Sequence, residues 1–387
     1  MRGPPVPRRG LGLDELGMIP DGAVLVRDGK IQEVGPTRRL ENLAEARGAL
    51  EIDATGRVVM PGLVDCHTHL LFPPPQTGEV SAGVDLDRAA RTLVTVTAQR
   101  LARRGRAQLE AMARHGTTTV EARTGCGPNH SAELKVLRVL RVLHRNPLDI
   151  VSTFLFRLGS ETEDRERADA VAAEAFFGEL MPTIRRRRLA RFADLQWDPD
   201  PARRPLMERF LDVARGLGFA CKIHADQHSC AAAVSLALEH SATSIDHLEY
   251  ATMEQARLLA ASSTMAVLLP GASFRRGHPA PARTLLDLGV AVALGSNYNP
   301  WHTPSLNMQT AISLACLQMG MRPAEAVCAA TINAAHALRA ADGVGSLECG
   351  KSADLLILRT SDFRDLAYQL GTNLVQTTMK RGQVLPG

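Results

Sequence analysis

From Val58 onward two hydrophobic patterns alternate along the chain. Short β-branched or apolar runs recur, each followed by an Ala/Leu/Arg-rich stretch whose apolar positions return at helical spacing. Eight such runs are present: Val58 to His69, Thr117 to Arg123, Asp149 to Phe156, Phe192 to Trp197, Ala220 to Gln227, Thr243 to Tyr250, Met265 to Ser273, and Val290 to Asn297. Strand and helix alternating in this way predict βα units around a parallel sheet, and eight units close a (β/α)8 TIM barrel. The stretches Ala132 to His144, Arg203 to Gly216 and Cys230 to His240 are rich in good helix formers and predict the outer ring. Ser305 to Met319 and Pro323 to Leu338 predict two more helices after the eighth strand.

The two ends follow a different rhythm. Gly22 to Ile52 and Gly345 to Val384 read as short strands split by turns, and the Asp28-Gly29 and Arg381-Gly382 pairs suit tight hairpins. Pairing of these ends predicts a small β-sandwich domain that the barrel interrupts. The expected fold is therefore α/β, with residues 1–57 as the N-terminal part of the sandwich, 58–341 as the barrel and 342–387 as its C-terminal part. The segment before the barrel reads as short, as though the first strand of the small domain were missing.

Composition narrows the setting. Of 387 residues, 45% are hydrophobic and 22% charged, the balance of a globular protein. The formal charge of +4 is concentrated in runs such as Arg185 to Arg188, which no aromatic stacking residues accompany, so a solvated helix end is expected and no nucleic-acid partner. Seven cysteines without CxxC pairs argue against a disulfide framework. No apolar stretch of about 18 residues occurs, so no membrane association is expected and a cytoplasmic location fits best.

The strongest chemical signal is Pro61-Gly62-Leu63-Val64-Asp65-Cys66-His67-Thr68-His69. Histidines at i and i+2 of a strand project to one face and can reach one ion, although an isolated HxH pair can equally be two polar residues at a strand end. His224 in CKIHADQ, His247 in SIDHLEY and Asn297 in LGSNYNP end later predicted strands, on the rim where a TIM barrel builds its active site. Imidazole nitrogens suit one divalent ion, zinc or iron, and three neutral ligands leave the open position of a catalytic centre. His115, His130, His144, His240 and His336 fall in helices or loops away from strand ends and read as ordinary surface or packing residues. His228, His278 and His302 fall in rim loops, as does Cys126.

Together PGLVDCHTH, HGTTTVEARTGCG, KIHAD, DHLEY, SNYNP and ATINAAHAL…GSLECGKSADLLIL resemble imidazolonepropionase, a family of the amidohydrolase superfamily, over nearly the whole chain. The resemblance implies a mononuclear metal centre that activates water to open the imidazolone ring of 4-imidazolone-5-propanoate in histidine degradation. It implies His67, His69 and His224 as ligands and His247 as the group that positions or protonates the reacting atoms. It also fits a homodimer.

The departures from the family's pattern fall at reactive positions. A ligating, proton-accepting aspartate of the family is Asn297 here, and its HADE-type glutamate is Gln227. These two are assigned to the catalytic set, and Asn297 to the metal as well. The family's SGYG-like tyrosine is Cys126, its histidine after strand three falls near Arg157 and Leu158, and FPPPQTGEV replaces an arginine-bearing loop. Cys126, Arg157, His228 and Asn299 are the expected substrate contacts. Positioned acid–base groups contribute about 10²–10⁴-fold in rate. Three readings are therefore open: a hydrolase of a different cyclic amide or amidine, a non-catalytic binding or regulatory relative, and residual imidazolonepropionase activity.

Overall fold

Residues 6–74, 86–125, 129–158, 171, 173–225 and 233–386 are described by the structure, a computed structural model. Strands β1 (Gly22–Arg27) and β2 (Lys30–Pro36) form an antiparallel hairpin. Asp28 and Gly29 between them both adopt left-handed backbone, with φ of 52° and 74°, as a two-residue hairpin turn of right-handed twist requires. After β3 (Val59–Pro61) come the eight barrel strands: β4 (Leu63–Asp65), β5 (Thr117–Arg123), β6 (Asp149–Phe156), β7 (Phe192–Gln196), β8 (Ala220–Ala225), β9 (Ser244–His247), β10 (Met265–Leu268) and β11 (Val292–Leu294). The chain returns through β12 (Leu355–Leu358), β13 (Val375–Lys380) and β14 (Gln383–Val384).

A four-stranded sheet of order β14-β13-β12-β3 faces the β1-β2 hairpin. Between them lie buried Ile31, Leu355, Ile357 and Met379, with Val24, Val26, Val34 and Val59 packed alongside. Arg381 and Gly382, at φ of 49° and 73°, make the second hairpin turn. The two chain ends thus form one small sandwich, as their strand patterns predicted.

The eight-stranded sheet runs in sequence order from β4 to β11 with every pair parallel. Its edges meet just beyond the strand ends. Thr68 and Tyr298 form a parallel bridge, Asn297 N–H donates to the His67 carbonyl at 3.0 Å, and His69 N–H donates to the Tyr298 carbonyl at 2.8 Å. Closure therefore occurs at the C-terminal rim and is made by the HxH segment lying against the SNYNP segment. Asp65 strengthens the seam, accepting from Ser296 N at 2.9 Å and Ser296 Oγ at 2.5 Å.

Some boundaries differ from the sequence expectation. The run Val58 to His69 is not one strand, because Val59–Pro61 pairs with β12 in the small sheet and only Leu63–Asp65 enters the barrel. Gly62 marks the crossing: its N–H donates to the Asp354 carbonyl, and a Cβ there would stand 2.3 Å from Thr118. Met265 to Ser273 also divides, β10 ending at Leu268 and a helix starting at Pro270, whose fixed φ suits a first turn. Pro323 to Leu338 is two helices, Pro323–Ala329 and Ile332–Ala337, separated at Thr331.

Outside the barrel, the helices His130–Leu143 and Arg204–Gly216 bury one face each. Phe154 and Phe156 of β6 meet Phe177 and Phe210 there, and Phe156 stacks on Phe210 with ring centroids 4.9 Å apart. Full burial of each such ring contributes on the order of 1.5–3 kcal/mol. This packing fixes the middle strands against the outer ring. Among the described residues, no helix is long and apolar enough to cross a membrane.

Candidate metal centre

Successive side chains on a strand alternate between faces, so every second residue of a barrel strand points at the axis. Here the inward set is polar or charged: Glu121 and Arg123 on β5, Asp194 on β7, Lys222 and His224 on β8, and Asp246 on β9 are all buried. Above them, at the rim, His67 and His69 follow β4. The rings of His67 and His224 lie 4.5 Å apart between centroids, those of His67 and His69 5.4 Å, and those of His69 and His224 5.7 Å. One nitrogen from each of the three lies within 4.8 Å of the other two.

Nε2 of His67, Nε2 of His224 and Nδ1 of His69 are buried without a hydrogen-bond partner among the described residues. An unsatisfied buried nitrogen costs roughly 1–3 kcal/mol, and three converging on one point are the donor set that a cation would satisfy. Burial, reinforced by the Arg123 guanidinium, pushes the His67 imidazole well below its ordinary pKa, and burial with neighbouring His224 does the same to His69. Both rings are therefore neutral near pH 7, the form in which imidazole ligates.

The opposite edges of two rings are held by carboxylates. His67 Nδ1 donates to Asp246 Oδ2 at 2.7 Å, because a carboxylate can only accept. His224 Nδ1 lies 2.9 Å from Asp194 Oδ2, an ion-pair contact off the axis of a straight hydrogen bond. Burial opposes ionisation of Asp194, but His224 and Arg123 outweigh it and hold the carboxyl well below its usual range. Burial raises Asp65 to about 6, tempered by its bonds from Ser296. Gly295 keeps the space beside His67 open, since a Cβ there would stand 2.7 Å from His67 Cβ.

His247 stands beside the three, its ring 5.6 Å from that of His67 and 5.7 Å from that of His224. Strand alternation alone would aim it away from the axis where Asp246 points inward. Left-handed backbone at His247 (φ 85°) and Leu248 (φ 65°) ends β9 and accompanies its place in the cluster. Such backbone is uncommon outside glycine and collects at functional sites. Its Nδ1 lies 3.3 Å from Glu249 Oε1, which also accepts from Ser273 Oγ at 3.2 Å.

Asn297 is buried next to the cluster, likewise left-handed at φ 53°, with its N–H on the His67 carbonyl. Asn299 is used locally: its Oδ1 accepts from Trp301 N at 2.9 Å, and its backbone pairs with Thr303. Arg157 is half-buried just past β6, and His278 stacks on Tyr250 with centroids 4.2 Å apart. Cys126, Gln227 and His228 lie outside the described residues. Burial pushes the Cys66 thiol well up, and its Sγ donates to the Leu294 carbonyl, so it is a packing residue despite sitting inside the HxH motif.

The sequence reading passed over Glu121, Arg123, Asp194, Lys222, Asp246 and Glu249. A signal for three of them was present, namely polar residues at i and i+2 inside apolar strands, Glu121 and Arg123 in VEAR and Lys222 beside His224 in KIH, a spacing that places both members of a pair on the barrel axis.

Residues 58–385 match the amidohydrolase family, and the chain belongs to it. Within that class the chain is similar to imidazolonepropionases. It is 39% identical to the imidazolonepropionase of Symbiobacterium thermophilum, over 98% of this chain and 93% of that protein. It is 38% identical to that of Chloroflexus aggregans, over 99% of this chain and 95% of that one. Among solved structures, a 5-methylcytosine deaminase from Klebsiella pneumoniae liganded with 5-fluorocytosine superposes with a TM-score of 0.73, at 18% identity, over 94% of this chain and 93% of that one. An adenosine deaminase from Xanthomonas campestris with bound zinc superposes at 0.67, with 19% identity over 94% and 88%. These two likenesses concern the fold.

Proposed function

We propose that the chain is a metal-dependent hydrolase that opens a C–N bond of a cyclic amide or amidine, with His67, His69 and His224 holding one divalent ion, zinc or iron. The observation that carries this reading is the convergence of three buried imidazoles, each with a nitrogen that has no hydrogen-bond partner among the described residues, at the rim where a TIM barrel acts. A divalent ion held there supplies Lewis acidity, polarising a carbonyl or amidine and lowering the pKa of water.

The chain's own groups do the rest. His247 offers Nε2 for proton transfer, since Nδ1 faces Glu249. Glu249 fixes that tautomer, and Ser273 in turn fixes Glu249. Asn297, where the resembled family has an aspartate, can orient a polar group but cannot take a proton from it, so proton movement falls to His247. The same replacement, with Cys126 and Arg157 at expected substrate contacts, points to a substrate other than 4-imidazolone-5-propanoate.

The similarity to imidazolonepropionases over 98% of the chain favours a second reading, hydrolysis of 4-imidazolone-5-propanoate itself. Metal-loaded protein assayed against a panel of cyclic amides and amidines, with that compound included, tests both. Ring opening of another member faster than of the imidazolone supports the first reading, and the reverse order supports the second. No turnover of any member by metal-loaded protein would contradict both.

A further inference from the structure

Beneath the histidine cluster lies a set of charges that ligation alone does not require. Arg123 is fully buried on the barrel axis and spreads its guanidinium over three carboxylates. Its Nε donates to Asp194 Oδ2 at 2.7 Å, its Nη2 donates to Asp246 Oδ2, and its Nη1 donates to Glu121 Oε2 at 2.8 Å. The oxygens it takes on Asp194 and Asp246 are the same two that face the histidines. Asp246 Oδ2 is shared between Arg123 and His67 Nδ1, and Asp194 Oδ2 between Arg123 and His224 Nδ1.

We infer that Arg123 is a positioning residue for the metal centre, one guanidinium that fixes two carboxylates and through them the ring orientation of His67 and His224. This inference rests on the metal-site reading proposed above and adds to it a device in the layer below. A planar fork with five donors suits the task, because its Nε and Nη2 donors, held in one rigid plane, reach two different carboxylates at once. A lysine ammonium is a point charge on a flexible stem and cannot hold both carboxylates in that fixed relation. Groups that orient metal-binding histidines in this way typically contribute 10–100-fold in metal affinity.

Lys222 supplies the control. It is equally buried and donates to Glu121 Oε2 at 2.8 Å, in the same network as Arg123. Among the described residues its hydrogen bond is to Glu121, whereas Arg123 reaches both carboxylates that face the histidines. A merely structural role for the buried charges predicts similar losses on replacing either cation. A positioning role predicts that Arg123 alone moves the metal.

The experiment measures zinc affinity by chelator competition and the visible absorption spectrum of the cobalt(II)-loaded protein, for wild type, Arg123→Lys and Lys222→Met. The expected result is 10–100-fold weaker zinc binding and a shifted cobalt spectrum in Arg123→Lys. Lys222→Met is expected to stay within about twofold of wild type in affinity, with an unshifted spectrum. Wild-type affinity in Arg123→Lys, or equal losses in the two variants, would overturn the inference while leaving the metal site intact. If Arg123→Lys does not fold, Arg123→Gln, which lacks the guanidinium fork, takes its place: a 10–100-fold loss that exceeds the loss in Lys222→Met supports the inference, and any smaller or equal loss overturns it. Failure of wild type itself to bind zinc or cobalt would overturn the metal-site reading and this inference with it.

Discussion

The backbone N–H of Asn297 donates to the carbonyl oxygen of His67 at 3.0 Å, across the seam that closes the barrel. The residue that stands where the resembled family carries an aspartate is thus tied to the first histidine of the cluster. Its backbone therefore sits beside the histidine cluster.

Replacing Asn297 with aspartate restores a proton acceptor without changing side-chain size. Asn297→Asp is expected to raise turnover of a ring substrate by about 10²-fold, the lower end for a positioned acid–base group, and to tighten metal retention. Steady-state kinetics with metal analysis on the same samples checks this. Unchanged turnover in the aspartate variant would mean that Asn297 is not the limiting departure.

Replacing His247 and Glu249 separates the proposed proton transfer from metal holding. His247→Gln is expected to lower kcat by about 10²–10⁴-fold with metal content unchanged. Glu249→Gln, which leaves His247 in place but removes the carboxylate facing its Nδ1, is expected to lose less and to shift the pH profile of kcat. Loss of metal in His247→Gln would reassign that ring to the ligand set.

The pH dependence of stability in metal-stripped protein follows from the buried rings. His67 and His69 are depressed well below 6.5 in the fold by burial, while the unfolded chain protonates them near that value. The unfolded state therefore binds more protons as pH falls through 6.5, and stability declines by up to about 1.4 kcal/mol per pH unit for each ring. Asp65 opposes this only below about 6, where its raised pKa makes the folded state the better proton acceptor down to 3.8. The denaturant midpoint is expected to fall between pH 7.5 and 6, and saturating zinc is expected to stabilise more at the upper pH than at the lower. A flat profile across that interval would contradict neutral burial of these rings.

Much of the architecture was legible in the pattern of the chain. Eight apolar runs, the HxH pair and the Asp28-Gly29 and Arg381-Gly382 turns led to the barrel, the rim histidines and the two hairpins. The Val58 to His69 run was misread as one strand because hydrophobicity is continuous across Gly62, and only tertiary pairing with β12 and β5 divides it. The layer of Glu121, Arg123, Asp194, Lys222 and Asp246 was missed for a related reason. A charge within an apolar strand has meaning only once its partners are known, and those lie on other strands 71 residues apart for Arg123 and Asp194 and 123 apart for Arg123 and Asp246. The place of His247 in the cluster depends on two left-handed residues that no period predicts.

His67, His69 and His224 are proposed to hold one divalent ion together. Elemental analysis of purified protein, alongside His67→Ala/His69→Ala prepared identically, tests it most directly. About one zinc or iron per wild-type chain is expected, lost in the double variant, in line with a three-histidine centre. No bound metal in wild type despite supply during expression, or equal metal in the two proteins, would contradict it.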